Sequence, residues 1–499
     1  MDVKKILELS NKISDIEKYK EDIKSFNKDI EEWDENTFYS FCKCDNIAGT
    51  GRMFFFKSTI KKLWNENKDE IKQHIKDLKE NINNFDNFKN FIQERTGELQ
   101  PRPWLAINRM AVAIHPDKLC RIVDPKKLIS VAKNLGITQT NDMSWIGLNK
   151  AVMHELELIS KNTMLDIYTL GSIPWAIYEE ECKDQEFANY LEKHKNIILN
   201  GAPGTGKTYL AKKIAAKLIG NNLTVDTVHN SEQFEFVQFH PSYDYTDFVE
   251  GLRPVEKDNN GKTEIVFERK DGIFKEFCNK ALAECKLNSE GKLTSQSKKY
   301  VFIIDEINRG EISKIFGELF FSIDPGYRGV KGAVRTQYAN VVDNKNEFDE
   351  ILNPNNDKKG HFYVPENVYI IGTMNDIDRS VESMDFAFRR RFAFYEITAD
   401  DSKAILNGLI KDNAADQKSI KSKAEKAMHD LNNKIVEQGL NESYQIGGSY
   451  FLKLDELDGN FNDLWDIYLN GILYEYFRGE PDAENKLDAL KNAYFAAVK

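Results

Sequence analysis

The chain has 499 residues, of which 41% are hydrophobic and 30% are charged, and its net charge at pH 7 is -11. A chain of this length exceeds a single hydrophobic core, so we expect two or three domains. The negative charge excludes a polycation that coats nucleic acid, but a local basic surface would still allow DNA binding. No apolar run approaches the roughly 20 residues that cross a bilayer, and residues 1–20 mix charges where a signal peptide would be apolar. We therefore expect a cytoplasmic protein with no membrane partner.

Residues 1–185 are predicted to form a mainly helical N-terminal domain, either undivided or split near residue 100. Apolar residues recur at helical spacing through residues 58–82, which indicates a surface helix with one apolar stripe. Basic and aromatic side chains alternate between residues 102 and 145, and Arg102, Trp104 and Arg109 are the first candidates for contact with DNA. The alternative is a helical subdomain in which the tryptophans belong to the core and the charges are solvated.

From residue 196 onward, short apolar segments alternate with helical patterns, which is typical of a parallel α/β sheet. The predicted strands span residues 196–200, 234–240, 300–305, 367–375 and 392–397. After residue 398 the pattern is helical, consistent with a small lid. The predicted fold class is therefore α/β, with a parallel-sheet core over residues 186–397 and a helical lid over residues 398–499.

A glycine-rich loop, GAPGTGKT at residues 201–208, follows the first predicted strand directly and precedes a helical pattern. It matches G-x-x-x-x-G-K-[ST], which binds phosphate through backbone N–H groups and a helix N-terminus. Lys207 is expected to reach the β- and γ-phosphate oxygens, and the Thr208 hydroxyl to ligate Mg²⁺. The predicted nucleotide-binding residues of this loop are Gly201, Ala202, Pro203, Gly204, Thr205, Gly206, Lys207 and Thr208.

Polar residues at the ends of two later strands are predicted to complete this site. Asp305 closes the buried strand 300–305, where its carboxylate can meet the Mg²⁺ held by Thr208. Glu306 follows at once and is predicted to orient and deprotonate the attacking water. Asn375 ends strand 367–375 and can bond the γ-phosphate or that water, with a strand-end cap as its alternative role. The sequence thus predicts the groups that triphosphate hydrolysis requires.

Three adjacent arginines, Arg389, Arg390 and Arg391, precede the last predicted strand. On the end of a helix they could simply be solvated. In an oligomer, one of them could reach a neighbour's γ-phosphate as an arginine finger, an effect worth on the order of 10³–10⁵ in rate.

In this order the motifs resemble those of the AAA+ superfamily of P-loop NTPases. Within it they are most similar to the McrB branch, the GTP-hydrolysing motor subunits of modification-dependent (type IV) restriction systems. The resemblance covers about residues 190–480 and also extends into the lid, at IGGSYF (446–451) and LYEYF (473–477). It rests on GAPGTGKT, on FVQFHPSYDYTDFVEGLRP (236–254), on IIDEINRGEISKIFGELF (303–320), on M-N-x-x-D (374–378), and on the run ending RRRF.

The resemblance implies roles for particular residues and partners. Asn375 and Asp378 would be signature residues tied to nucleotide handling, and Arg389 or Arg390 would be the finger that acts in trans. GTP would be the substrate, with ATP as the other option and Mg²⁺ as the cofactor. The partners would be further copies in a homo-hexamer, an McrC-like nuclease subunit and modified DNA, which the N-terminal domain would select.

Two departures from the family pattern bear on these expectations. The family often has N-T-A-D where this chain has Asn375, Asp376, Ile377 and Asp378, so the second acid leaves GTP selectivity open. The lid has no obvious arginine near residues 447–450, which argues against a phosphate sensor carried by the lid. The sequence also shows no nuclease motif, so DNA cleavage would have to come from a partner.

Two other functions remain in view. One is an ATP-dependent chaperone of the MoxR type, which remodels proteins; the M-N-x-x-D signature favours the restriction motor over it. The other is a nucleotide-gated scaffold, against which the Asp305–Glu306 pair argues, because a scaffold needs no carboxylate that activates water.

Overall fold

The computed structural model describes residues 1–11, 13, 16–26, 30–44, 47–48, 57–96, 103–138, 140–220, 223–259, 262–341, 345–352, 359–377, 386–409 and 414–499. The chain divides into two units, residues 1–186 and residues 187–499. None of the helices within these ranges combines the length and apolar content that crossing a bilayer requires.

The described residues of the first unit form helices joined by turns and irregular segments. Asp124 shows how its helices begin, because the side chain accepts the backbone N–H of Lys126 at 2.8 Å and Pro125 fixes the first helical residue. The α-helices are Val3–Asn11, Ile16–Phe26, Glu35–Lys43, Lys57–Glu80, Phe85–Thr96, Pro103–Ile114, Pro125–Asn134, Trp145–Ser160, Ile167–Ile177 and Lys183–His194, the last of which ends in the second unit. Short 3-10 turns span Ile30–Glu32 and Ile82–Asn84, and a π-helical turn spans Tyr178–Cys182.

The apolar stripe predicted for residues 58–82 lies in the core of the first unit. Its buried members are Ile60, Leu63, Ile71, Ile75 and Leu78. These side chains pack in one cluster with Phe38, Trp64 and Met110, and a second cluster forms around Leu128 and Val152. The mainly helical character predicted for this part of the chain is therefore confirmed.

Arg109 is wrong as a candidate for contact with DNA. Its side chain is 1% exposed and donates to the carbonyl oxygen of Cys42 at 3.4 Å. It lies in a helix whose residues 105–113 are all buried, so every face of this part of the helix packs inside the unit and none presents Arg109 to DNA. Trp145 is half-buried against the apolar core, as the alternative interpretation expected. Arg102 and the side chain of Trp104 lie outside the described residues.

The second unit is built on a parallel five-stranded sheet. The strands of this unit are β1 (Asn196–Gly201), β2 (Phe234–Gln238), β3 (Glu250–Asn259), β4 (Lys262–Asp271), β5 (Tyr300–Asp305), β6 (Val334–Arg335), β7 (His361–Phe362), β8 (Val368–Asn375) and β9 (Ala393–Ile397). The order of the strands in the sheet is β2-β5-β8-β1-β9, and every neighbouring pair is parallel. All five strands predicted for the sheet are present, with small differences at their ends.

Alternate residues of the central strands face two separate apolar layers. In β5, Phe302 and Ile304 pack in the cluster that contains Phe248, whereas Val301 and Ile303 pack in the cluster that contains Ile214. Burial on both faces is what a parallel sheet covered by helices requires, and it explains the nearly continuous apolar runs in the sequence. Because both faces of the sheet are covered, polar residues that bind a ligand are expected at the carboxyl ends of the strands.

The remaining helical segments cover the sheet and form the lid. Around the sheet, α-helices span Lys207–Ile219, Tyr245–Phe248, Ile273–Ala283, Ile312–Phe316, Leu319–Ser322, Glu347–Leu352 and Phe386–Arg389, and 3-10 turns span Val228–Asn230, Ile307–Arg309, Pro325–Tyr327, Gly329–Gly332 and Ala339–Val341. In the lid, α-helices span Ala414–Glu437, Phe461–Asp463, Asn470–Phe477 and Ala483–Val498, with a π-helical turn at Leu464–Leu469 and 3-10 segments at Asp400–Gly408, Glu442–Tyr444 and Gly448–Asp455.

Strands β3 and β4 form an antiparallel hairpin that the sequence pattern did not predict. Charged residues are interspersed through both of its segments. One segment also contains Pro254, and proline is not expected in a strand in the interior of a sheet. Leu252, Ile265 and Phe267 are exposed apolar residues of this hairpin. Among the hairpin residues whose burial the structure describes, 250–256 and 265–271, only Glu250 and Gly251 are buried, so these strands lack the apolar pattern of the main sheet.

Candidate functional site

The GAPGTGKT loop connects β1 to the helix Lys207–Ile219, and its glycines are required by the backbone. Gly206 caps the helix with a φ of 79°, in the left-handed region. Gly201 has a φ of 143°, and a Cβ there would lie 2.2 Å from the carbonyl oxygen of Ile397. Since neither position accepts a side chain without strain, both glycines of the motif follow from local geometry.

Lys207 lies inside the loop and is 7% exposed. Its ammonium group donates to the carbonyl oxygens of Ala202 at 2.7 Å and Gly201 at 3.1 Å. The Thr205 hydroxyl also donates to Ala202, at 2.9 Å, which draws the loop together. The positive charge is therefore held at the helix N-terminus, where an anion is favoured.

Asp305, at the carboxyl end of β5, accepts two hydroxyl hydrogen bonds. Thr208 donates to its Oδ1 at 2.7 Å, and Thr373 of β8 donates to the same atom at 2.6 Å. The Thr208–Asp305 contact joins the two residues that the sequence predicted on the metal side of the site. A hydroxyl oxygen beside a carboxylate is a hard donor set that fits Mg²⁺, which takes few protein ligands and keeps waters and phosphate oxygens for the rest.

Glu306 has contacts at both of its carboxylate oxygens and at its backbone N–H. Asn375 Nδ2 donates to Oε1 at 3.0 Å, and Arg309 Nε lies 3.3 Å from Oε2. The backbone N–H of Glu306 donates to the Thr373 hydroxyl at 3.3 Å, although the bond is long. Asn375 reaches this position because β8 lies beside β5, the neighbour relation expected from the usual strand order.

Sequence reasoning missed Thr373 and Arg309, both of which touch the predicted carboxylates. Thr373 could have been found from the two-residue period of a strand, since it lies on the same face as Asn375 two positions later. Arg309 follows Glu306 by three residues in a 3-10 turn, where such a spacing brings side chains together. That turn was not predicted.

Asp376 lies beside the loop rather than in solvent. Both of its carboxylate oxygens are 3.1 Å from Asn200 Nδ2, and its backbone N–H donates to the Gly201 carbonyl at 3.3 Å. Burial raises the pKa of Asp376, and the hydrogen bond from Asn200 partly opposes that shift. The departure from N-T-A-D therefore places an extra acid next to the phosphate-binding loop. Asp378, the acid of the M-N-x-x-D signature, lies outside the described residues.

The three arginines differ in their surroundings. Arg389 and Arg390 are exposed, and the Arg389 guanidinium lies 5.2 Å from the ring centroid of Phe394. Arg391 is 7% exposed, donates to the Ala387 carbonyl and lies 4.3 Å from the Phe320 ring centroid. In this conformation Arg389 and Arg390 are accessible to a neighbouring molecule and Arg391 is not.

The lid contacts the phosphate-binding loop through its backbone. Gly447 N–H donates to the Pro203 carbonyl at 2.9 Å, and Ser449 N–H donates to the Gly204 carbonyl at 3.0 Å. A Cβ at Gly447 would lie 2.3 Å from the carbonyl carbon of Gly204, so only glycine permits this approach. The sequence pointed to these lid residues as part of a motif but did not show that they meet the loop.

The sequence of this part of the chain is similar to a known domain family and to two restriction-enzyme components. Residues 196–392 match the family of AAA domains of the dynein-related subfamily. The type IV methyl-directed restriction enzyme EcoKMcrB subunit of Escherichia coli (strain K12) is 37% identical over 300 residues, 58% of this chain and 56% of that protein. The type II restriction enzyme BsuMI component YdiS of Bacillus subtilis (strain 168) is 29% identical over 210 residues, 40% of this chain and 56% of that protein.

The chain thus matches little more than half the length of each of these relatives. The matched segment contains the phosphate-binding loop, Asp305, Glu306 and Asn375. Residues 196–392 therefore match an AAA domain, and the resemblance of this part of the chain to the McrB branch is confirmed.

Proposed function

We propose that this AAA domain hydrolyses a nucleoside triphosphate, GTP in preference to ATP, and that hydrolysis drives movement along DNA for a partner nuclease. The observation that carries the hydrolytic part is the arrangement at the carboxyl edge of the sheet. There, Thr208 bonds Asp305 at 2.7 Å and Asn375 bonds Glu306 at 3.0 Å. A domain that only bound nucleotide would not need Glu306 in this position.

In the proposed mechanism the Lys207 ammonium moves from the carbonyls of the loop to the β- and γ-phosphate oxygens. Thr208 and Asp305 would hold Mg²⁺, which would neutralise the charge that develops on the phosphate oxygens. Glu306 accepts the proton of the attacking water, and Asn375 holds the Glu306 carboxylate in place. The loop N–H groups and the helix N-terminus bind the phosphates throughout.

The biological setting is proposed from the relatives. Both carry names of restriction-enzyme components, and one is named as a methyl-directed type IV subunit. We propose that this chain serves restriction of modified or foreign DNA in the cytoplasm, as a homo-hexamer with an McrC-like nuclease subunit. An arginine finger from Arg389 or Arg390 of a neighbouring subunit would complete each site.

Hydrolysis rates with GTP and with ATP, each with and without DNA, test this proposal directly. We expect faster turnover with GTP and a Mg²⁺ requirement. Turnover with ATP alone, stimulated by an unfolded protein and unaffected by DNA, would instead support a protein-remodelling chaperone. No turnover with either nucleotide, in protein shown to bind it, would support a scaffold.

Two variants separate binding from turnover. Lys207→Ala should abolish triphosphate binding, because it removes the charge placed on the β- and γ-oxygens. Glu306→Gln should keep binding and stop turnover, because it retains the shape of the side chain but loses the base. Binding is measured with a fluorescent GTP analogue and turnover by phosphate release. Glu306→Gln protein that hydrolyses at the wild-type rate would show that Glu306 is not the base.

A further inference from the structure

We propose that Thr373 is a positioning residue that ties Asp305 to the backbone of Glu306, an inference that rests on the hydrolysis proposed above. Its hydroxyl donates to Asp305 Oδ1 at 2.6 Å and accepts the backbone N–H of Glu306 at 3.3 Å. A hydroxyl has one proton to donate and lone pairs that accept, so it can make both bonds together. One side chain thus contacts the proposed metal-side carboxylate and the residue that carries the proposed base.

The register of the sheet places Thr373 there. Strands β5 and β8 are parallel neighbours with Ile304 opposite Gly372, so the next position along each strand brings Asp305 beside Thr373. Because side chains alternate between the faces of a strand, Thr373 and Asn375 share one face of β8. The first contacts Asp305 and the Glu306 backbone, and the second contacts the Glu306 carboxylate.

Burial makes the Thr373 hydroxyl hard to replace. Thr373 is 2% exposed, so water has little access to the groups that its hydroxyl serves. Without the hydroxyl, Asp305 Oδ1 would keep the bond from Thr208 but lose the bond from β8, and the Glu306 N–H would lose this acceptor. Loss of hydrogen bonds at a site with little access to water is costly, so we expect the local backbone to shift.

The backbone of Glu306 is the part most sensitive to such a shift. Its φ of 51° lies in the left-handed region, which a residue with a side chain occupies only when its surroundings hold it there. The bond to Thr373 is one of the contacts that hold it. A small displacement of this backbone moves the carboxylate relative to the attacking water, and such misplacement can cost about 10²-fold in rate.

Variants of Thr373 in the full chain test the proposal with GTP and ATP as substrates. Thr373→Val keeps the branched shape without the hydroxyl, and we expect kcat to fall about 10- to 100-fold while nucleotide affinity stays within about twofold. Thr373→Ser keeps the hydroxyl without the methyl group, and it should retain most of kcat. Thr373→Ala lacks both and should behave like the valine variant. Affinity is measured with fluorescent analogues in the presence of Mg²⁺.

Thr336→Val is the matched control, because Thr336 is 5% exposed and its hydroxyl lies within hydrogen-bonding reach of the Gly360 carbonyl, at 3.3 Å, and of the Glu250 carboxylate, neither of which belongs to the proposed catalytic group. This variant loses a buried hydroxyl in the same unit and should keep the wild-type kcat. If Thr336→Val lost as much turnover as Thr373→Val, general destabilisation would explain both losses. The proposed positioning role of Thr373 would then be wrong. Should the valine variant fail to fold, the serine and alanine variants make the same comparison through a single oxygen atom.

A second set of variants asks whether Thr373 acts through Glu306. In a Glu306→Gln background, which the proposed function already expects to be slow, Thr373→Val should lower residual turnover much less than in the wild type. Equal fold losses in the two backgrounds would overturn the proposal. A wild-type chain that hydrolyses neither nucleotide would instead refute the proposed function, whereas wild-type turnover that Thr373→Val leaves unchanged would refute this inference alone.

Discussion

The residues of the proposed site are held in place by hydrogen bonds and ion pairs with one another. Glu306 adopts a left-handed φ of 51°, a conformation that costs a non-glycine residue about 1–3 kcal/mol and persists only where other contacts compensate. Asn375 and Arg309 supply such contacts on its carboxylate. The strain is therefore located at the residue proposed to move a proton, where fixed geometry contributes most to the rate.

Asp376 should make stability depend on pH at the edge of the site. Burial, followed by the negative charge of Glu396, raises its pKa, while Asn200, Lys207 and Arg389 act in the opposite direction. An acid with a pKa raised by folding binds its proton more tightly in the folded state. Its contribution to stability is therefore present at low pH and is lost as the pH rises through the folded pKa.

Replacing Asp376 by asparagine removes that dependence. The difference in melting temperature, Asp376→Asn minus wild type, should become more positive between about pH 4 and pH 7, the range above the usual aspartate pKa. Thermal unfolding at several pH values measures it. Asp466→Asn, a change of the same chemistry at an exposed position in the lid, is the control. A difference for Asp376→Asn that falls or stays flat across this range would contradict the assignment.

At the scale of elements, the lid is attached to the phosphate-binding loop by a short run of lid backbone, residues 446–449. The long lid helix Ala414–Glu437 holds this run through Asn432, whose side chain accepts from Ile446 N–H at 2.7 Å and donates to the Ile446 carbonyl at 3.0 Å. The next residue, Gly447, bonds the loop at Pro203. A change in the loop on nucleotide binding would therefore reach the lid helix through two adjacent residues.

Gly447→Ala should uncouple these elements. The added methyl group would meet the Gly204 carbonyl group at 2.3 Å, so the lid run would have to move off the loop. Overpacking of this kind costs about 1–3 kcal/mol, and we expect nucleotide affinity to fall by about tenfold. Titration with a fluorescent GTP analogue provides the measurement.

Gly471→Ala serves as the control, because an added Cβ there has no neighbour within 4 Å. It should bind nucleotide as the wild type does. If Gly447→Ala also bound normally, the backbone contacts between lid and loop would have no part in nucleotide binding.

At the scale of the whole molecule, two features point beyond one copy of the chain. The arginines Arg389 and Arg390 are exposed, and a finger that acts in trans would need a neighbouring copy of the chain. Residues 1–186 form a unit separate from the AAA domain, and they carry 28 Lys and Arg against 31 Asp and Glu. DNA binding by this unit would therefore need a local basic surface rather than its net charge.

Mixed oligomers test the trans finger. Arg389→Ala or Arg390→Ala should lower hydrolysis and leave nucleotide affinity nearly intact, because the finger acts on the transition state. Mixing the impaired variant with Lys207→Ala subunits should restore part of the activity, since some interfaces then pair an intact site with an intact finger. Arg391→Ala differs, because this side chain is buried, and it should lower stability. Absence of rescue at every ratio, in confirmed mixed rings, would exclude the trans finger.

The first unit is predicted to select DNA while the second hydrolyses nucleotide. A chain that starts at Lys183 keeps the helix Lys183–His194 intact, and it should oligomerise and hydrolyse nucleotide without discriminating modified from unmodified DNA. The 1–186 fragment should bind DNA with an affinity that falls steeply as salt rises. Lys118 and Lys126 are exposed, so glutamine at both positions should weaken binding, whereas Arg109 is too buried to contribute directly. A fragment that binds no DNA even at low salt would favour a protein-docking role.

The sequence by itself determined the parts of this protein that depend on local patterns. The phosphate-binding role of the loop glycines, Lys207 and Thr208 could be predicted, because consecutive residues make both the phosphate-binding turn and the helix N-terminus. The five strands are readable because a doubly buried strand must be apolar nearly throughout. The β3–β4 hairpin was not predicted because most of its residues with described burial, within 250–256 and 265–271, are not buried and so need not be apolar.

Only the tertiary structure decided which side chains meet across strands and which are buried. The neighbour relation of β5 and β8 brought Thr373 to Asp305 and Asn375 to Glu306, although these residues are far apart in the chain. Packing also separated three adjacent arginines into two that are exposed and one that is buried. Such outcomes depend on contacts between distant segments, which the order of residues encodes only through the complete fold.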